Sequence, residues 1–206
     1  MIVVDIETSG GDFYKCGILQ IGALDLENLD NTFFQEARLG EDNEIVEAKN
    51  LVNPLSVSKI VGMSEEEMRK GKKQSEKELL KKFFDWCKQA KIKNLVCHNP
   101  QFDYSFLSVK AEKYGLKLPF YHRAMDLSTI ALVRYLQIHG KFLIKEDYTD
   151  MGLKNVLKLV GMTDERTIHN ALEDAKLEAE CFYRLIYGKN LLPEYSEFPV
   201  PKELKK

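Results

Sequence analysis

The stretch MIVVDIETSGG, residues 1–11, decides how the rest of this 206-residue chain is read. Met1, Ile2, Val3, Val4 and Ile6 are apolar and mostly β-branched, the composition of a strand buried against a core. Asp5 and Glu7 interrupt it. Alternate side chains of a strand share a face, so these two acids stand side by side on one side of it. Two like charges held that close on a buried strand are costly unless a positive charge lies between them, and a divalent cation with hard oxygen ligands meets that need. The alternative is a strand end carrying two solvated acids. Thr8, Ser9, Gly10 and Gly11 then break the strand into a tight turn whose backbone lets a ligand come close.

The composition, 44% apolar and 30% charged, supports one compact domain with a substantial core. We place that domain at residues 1–188, followed by a C-terminal segment with three prolines and several lysines over 189–206, expected to be extended and partly mobile. No apolar run approaches bilayer length, and no charged start precedes an apolar stretch, so the expectation is a cytoplasmic protein without a membrane span. Cys16, Cys87, Cys97 and Cys181 are scattered, which argues against a zinc ribbon or a disulfide scaffold and for reduced, buried thiols. The net charge of −2 hides an asymmetry: residues 1–68 carry 14 acids against 4 bases, whereas residues 69–93 carry 10 bases against 3 acids. Such a basic run is either a solvated helix face or a rim that attracts phosphate.

Working outward from the first strand, Cys16–Leu26 reads as a second strand and Thr32–Leu39 as a third, with turn residues over Asn28–Asn31. Asn53-Pro54 marks a loop. Ser64 with Glu67 is a capping-box pattern opening a short helix that ends near Gly71, and Ser75 with Glu78 repeats it before the apolar periodicity of Leu79, Leu80, Phe83, Phe84, Trp86 and Cys87. Trp86 reads as core. Leu95–Cys97 is a short buried strand, Gln101–Tyr114 a helix closed by Gly115, Ala124-Met125 a fifth strand and Asp126–Ile138 a helix. Gly140–Asp150 reads as a polar loop, with helices over Gly152–Val160 and Asn170–Tyr187 beyond it. This order predicts an α/β fold: a mixed five-stranded sheet, antiparallel over strands 1–3 and completed by strands 4 and 5, with helices on both faces.

In such a sheet, chemistry gathers at strand ends and helix starts. Two later segments put acids there. In HNPQFD, residues 98–103, Pro100 sets the first turn of a helix and Asp103 lies in that turn, where the helix dipole favours a carboxylate. Asn99 is either a cap or a functional side chain. In HNALEDA, residues 169–175, Asp174 lies one turn into an amphipathic helix whose Ala171, Ala175 and Ala179 offer a small-residue face. Glu173 points about 100° away from Asp174 and is read as solvated. Asp5, Glu7, Asp103 and Asp174 thus form a four-carboxylate set with His169 as a titratable base. Four clustered acids repel one another unless two divalent ions lie among them, and a two-metal site with a histidine base suits phosphodiester hydrolysis.

At these residues the sequence resembles the DEDDh 3′→5′ exonucleases of the ribonuclease H-like fold, the superfamily of the proofreading ε subunit of DNA polymerase III, ribonuclease T and oligoribonuclease. The first motif is Asp5-Ile6-Glu7-Thr8, the second His98–Asp103, and the third, His-x4-Asp, runs from His169 to Asp174; the Leu19–Ala23 stretch resembles the family's second strand. The resemblance implies a ribonuclease H-like sheet and two ions, Mg²⁺ or Mn²⁺. Asp5, Glu7 and Asp174 would hold one ion, Asp5 and the substrate phosphate the other, Asp103 would ligate through water, and His169 would be the general base. It also implies that Thr8, Ser9 and Gly10 meet the 3′-terminal nucleotide, and Asn99 and Phe102 join them as substrate-binding candidates. Thr8 argues against the oligoribonuclease branch. Phe13 and Tyr14 are either wedges against terminal bases or packing anchors. The expected partners are single-stranded DNA or RNA 3′ ends, DNA favoured, and a polymerase or repair protein. The alternative is a non-catalytic nucleic-acid-binding or polymerase-associated module.

Overall fold

A computed structural model of the chain describes residues 1–46, 59, 61–70, 72–163 and 167–205. The loop expected at Asn53-Pro54 and the helix end expected at Gly71 lie outside these described residues. Strands β1 (Ile2–Thr8), β2 (Ile18–Asp25), β3 (Asn28–Glu36), β4 (Leu95–Cys97) and β5 (Met125–Asp126) form one sheet in the order β3-β2-β1-β4-β5. The first three are antiparallel, and β4 and β5 run parallel to β1. The mixed five-stranded architecture expected from the sequence is therefore the observed one.

Helices α1 (Glu65–Lys70), α2 (Glu76–Cys87), α3 (Pro100–Tyr114), α4 (Leu127–His139), α5 (Leu153–Leu159) and α6 (Ala171–Tyr187) surround the sheet. The alternation of β1 sorts them. Ile2, Val4 and Ile6 pack with Phe83 and Phe84 of α2 and Phe106 and Leu107 of α3. Val3 points the other way, into a second core with Leu127 and Ala131 of α4 and Leu177 and Phe182 of α6. Asp5 and Glu7 share the parity of Val3, so the strand delivers both acids to the face covered by α6.

The turn between β2 and β3 falls earlier than expected. Asp25 Oδ1 accepts the Glu27 N–H at 3.1 Å and Met1 O accepts the Leu26 N–H at 2.9 Å, so the chain reverses within two residues and Asn28 already pairs with Asp25. The residues Asn28–Asn31, read as a turn, are strand. The polar loop at 140–150 contains a small hairpin, β6 (Ile144–Lys145) with β7 (Tyr148–Thr149), turning through Glu146 at φ 54°. Two-residue strands are too short to show a period in sequence.

The segment after Lys189 is packed, contrary to the mobile tail expected. Glu180 and Arg184 of α6 form a fully buried pair at 2.6 Å. Glu180 Oε2 accepts the N–H groups of Leu191 and Leu192, and Arg184 donates to the carbonyls of Val160 and Tyr195. Leu192, Val200 and Leu204 are buried against the second core. A buried ion pair is tolerable only when its remaining donors and acceptors are met, and the C-terminal backbone meets them.

One glycine sets how close α6 lies to the sheet. Gly22 of β2 pairs with Asp5, and a Cβ there would lie 2.1 Å from the backbone of Ala171 and Leu172. Next to it, Gln20 Oε1 accepts the Ala171 N–H at 3.3 Å, so the first turn of α6 rests directly on the strand beside Asp5. Gly22→Val is expected to lower unfolding free energy by about 1–3 kcal/mol, since overpacking forces backbone apart; urea denaturation of the variant beside the parent checks this.

Candidate active site

β4 pairs with β1 only at Ile2 and Val3, which leaves the neighbouring edge of β1 open toward its C-terminal end. Asp103, in the first turn of α3, fills that gap, and its buried carboxylate accepts hydrogen bonds from the backbone of Ile6 and from its own amide. Asn170 caps α6 by accepting the Leu172 and Glu173 N–H groups at 3.1 and 3.2 Å. Its own N–H donates to Asp174 Oδ2 at 3.1 Å. His169 Nδ1 lies 3.5 Å from the same oxygen. Glu7, His169 and Asp174 each offer a ligand atom within 4.8 Å of the others. The structure thus brings the predicted first and third motifs together, with Asp103 reaching the same strand from the far side.

The electrostatics show how crowded the site is. Burial, followed by the charges of Glu178, Asp103, Glu7 and Asp174, pushes the Asp5 carboxyl far above the usual carboxylate range. Asp103 is pushed up to about 8 by burial, with backbone hydrogen bonds opposing and Glu7 adding to the rise. Glu178, one turn after Asp174 on α6, is buried as well; burial and then Asp103 raise its carboxyl, while the His98 N–H it accepts at 3.0 Å opposes the rise. This fifth acid was missed from the sequence, although its i+4 spacing from Asp174 placed it on the same helix face. Glu173 is exposed and pairs with Lys176 at 3.1 Å, as its angle on the helix predicted.

This donor set fits divalent cations that favour oxygen. Buried carboxylates that raise one another's proton affinity are relieved when a cation replaces the protons. The nearby Cys97 thiol is kept protonated by burial and by Asp103, Glu178 and Asp5, so it adds no soft ligand.

The remaining candidates divide by role. Thr8 Oγ1 donates to Gly10 O at 2.8 Å. The buried Ser9 hydroxyl donates to Glu44 O at 2.6 Å and accepts the Gly17 N–H at 2.8 Å. Gly10 sits at φ 147°, with Val46 O 2.5 Å from where a Cβ would be. The side chains of this turn are therefore spent on its shape, and so is the backbone of Ser9, whose N–H donates to Gly17 O and whose carbonyl accepts the Val46 N–H, both at 2.9 Å. Asn99 is exposed in a left-handed conformation at φ 62°; it stands at the cap position of α3 without a side-chain cap bond. Phe102 packs at a tilt against Phe106, ring centroids 5.0 Å apart, and Phe13 meets the same ring edge-on at 6.3 Å as a packing anchor, whereas Tyr14 is 75% exposed. Trp86 is core-facing beside Phe33 and Phe83, and its Nε1 donates to Asn31 Oδ1 at 2.8 Å. In the basic segment Lys73 pairs with Glu36 and Lys88 with Asp85, while Lys77, Lys81, Lys82, Lys91 and Lys93 are exposed.

The exonuclease family model RNase_T matches residues 2–182. Among curated proteins, the PolC-type DNA polymerase III of Caldanaerobacter subterraneus subsp. tengcongensis is 30% identical over 193 residues, covering 90% of this chain but only 11% of the polymerase. Ribonuclease T of Haemophilus influenzae is 24% identical over 216 residues, covering 96% of this chain and 82% of that protein. Among solved structures, the nuclease domain of 3′hExo, a DEDDh family member bound to rAMP, superposes with a TM-score of 0.64 at 17% identity, covering 98% of this chain and 95% of that one. E. coli Exonuclease I in complex with a dT13 oligonucleotide gives a TM-score of 0.64 at 14% identity over 89% of this chain and 40% of that one. The last two likenesses concern the fold.

The raised acids set a pH dependence. Asp103 titrates near 8 when folded and near 4 when unfolded, so its protonated form favours the folded state. The stability it confers is full below about pH 4 and is lost as pH rises toward 8. In EDTA, thermal stability should therefore fall between about pH 5 and 8, and Asp103→Asn should flatten that fall. Mn²⁺ should restore stability most strongly at the high-pH end, read by melting curves across the range.

Proposed function

We infer that this chain, which belongs to the RNase_T exonuclease family, is a metal-dependent 3′→5′ exonuclease of the DEDDh type acting on single-stranded nucleic acid. The observation that carries this reading is the convergence of Glu7, His169 and Asp174 within 4.8 Å, beside half-buried Asp5 and buried Asp103. Asp5, Glu7, Asp174 and Asp103 would hold two Mg²⁺ or Mn²⁺ ions, which when bound offset the acids' repulsion and the charge that develops on a phosphodiester.

His169 supplies the base. Its side chain is 42% exposed while its Asp174 partner is 4% exposed. Asp174 lies beside Nδ1 and would orient the ring toward a water, and exposure lets the imidazolium pass its proton to solvent. The water oxygen attacks phosphorus, the bond to the 3′ oxygen breaks, and that oxygen leaves with a proton from solvent. The product is a nucleoside 5′-monophosphate. The Thr8–Gly10 turn follows the C-terminal end of β1, where a terminal nucleotide would meet the acids, and Asn99 and Phe102 would join it as substrate contacts.

Single-stranded DNA is the favoured substrate, since Exonuclease I was solved with dT13; 3′hExo was solved with rAMP, so RNA belongs in the test. The relation to PolC, of which this chain spans 11%, supports a polymerase or repair partner.

The assay uses 3′- and 5′-labelled DNA and RNA oligomers with Mg²⁺, Mn²⁺ or EDTA. Stepwise shortening from the 3′ end, abolished by EDTA and by Asp5→Ala, is expected. His169→Ala should lower kcat by about 10²–10⁴-fold, the usual worth of a positioned base. Cutting of a circular single strand, or no cleavage of any oligomer in either metal, would overturn the reading.

A further inference from the structure

Glu178 has no part in the mechanism above, yet it is a buried carboxylate among Asp5, Asp103, Asp174 and Asp126. Placing another acid there adds repulsion, which a specific interaction must offset. The interaction on the page is with backbone. Where β4 ends, the His98 N–H donates to Glu178 Oε2 at 3.0 Å. The next amide, Asn99 N–H, donates to Asp126 Oδ1 at 3.2 Å. Two carboxylates, one on α6 and one at the end of β5, thus hold two consecutive amides, while His98 Nε2 lies 3.1 Å from Met151 O.

The residue so held is unusual. Asn99 adopts φ 62° and ψ 62°, a left-handed conformation uncommon outside glycine though asparagine tolerates it better than most residues, and its side chain makes no cap bond. Pro100 follows, then the first turn of α3 with Asp103. The orientation of that turn decides whether the Asp103 carboxylate reaches the Ile6 amide and the acids on β1.

We propose that Glu178 is a positioning residue: by accepting the His98 amide it holds the left-handed turn that aims Asp103 into the site. Because Asp174 lies one turn earlier on the same rigid helix, the bond also ties the third motif to the second. This inference rests on the metal-holding reading of the site, and it concerns a hydrogen bond rather than a charge.

Glu178→Gln keeps a carbonyl acceptor and removes the charge; Glu178→Leu removes both. In EDTA, deuterium exchange at the His98 amide should stay slow in the parent and the Gln variant and become about 10-fold or more faster in the Leu variant. Mn²⁺ affinity, by calorimetric titration, should fall about 10-fold or more in Leu and stay within about 3-fold of the parent in Gln, the scale expected for an outer partner of a metal ligand. On an oligomer cleaved by the parent, Leu should lower kcat with KM for the oligomer unchanged, and Gln should rescue it. Equal loss in both variants, or loss in neither, overturns the proposal. Should the Leu variant fail to fold, Glu178→Ser, too short to reach the amide, takes its place. Exchange and Mn²⁺ binding need no turnover, so a parent that binds Mn²⁺ and cleaves nothing would sink the exonuclease reading while this test still decides.

Discussion

Mutual repulsion among buried carboxylates is the constraint that the rest of this structure answers. Asp5, Glu7, Asp103, Asp174 and Glu178 crowd one end of β1, and each raises the proton affinity of a neighbour. Left to itself, such a cluster would relax by splaying its helices, because like charges at low dielectric are costly. The surroundings prevent that. The missing side chain at Gly22 seats α6 against the sheet, Gln20 anchors its first amide, and Asn170 satisfies the next two. On the other side, Ile6 offers its amide to Asp103 through the gap that the short β4 leaves. A site strained by its own charges and held by packing is poised to gain from cations.

Much of this was legible because it is local. The period of β1 sets Asp5 and Glu7 on the face opposite Ile2, Val4 and Ile6, and the two cores confirm that parity. Pro100 announced the helix start that carries Asp103, and the amphipathic spacing from residue 170 onward announced the helix that carries Asp174. What stayed hidden depends on contacts distant in sequence. Glu178 reads like any acid of an amphipathic helix, and only the seating of α6 over the end of β4 buries it. The i,i+4 spacing of Glu180 and Arg184 says nothing of burial, and it is the C-terminal segment that closes over the pair. The early turn after β2 rests on Asp25, an acid inside a strand pattern that gave no turn signal.

The loop after β1 shows how one short segment separates shape from contact. Ser9 and Gly10 are fixed inward, tied to residues 44, 46 and 17. Phe13 anchors the loop on Phe106, whose ring also carries Phe102, so the first and second motifs share one aromatic support. Tyr14, beside Phe13 with ring centroids 4.8 Å apart, is left exposed. The loop thus has an inner layer fixed by packing and one ring left outward.

Helix α6 carries the argument furthest. Four of its acids have four environments: Glu173 faces solvent, Asp174 faces His169 and Glu7, Glu178 faces the end of β4, and Glu180 faces Arg184 and the C-terminal backbone. Successive residues turn by about 100°, so these environments hold only for one rotation and one register of the helix. A shift by a single residue would put Asp174 into solvent, expose the Arg184 pair and drive a larger side chain onto Gly22 at once. The docking of the C-terminal segment, far from the acids in sequence, therefore bears on their alignment, because the buried pair it satisfies lies on the same rigid helix that presents Asp174.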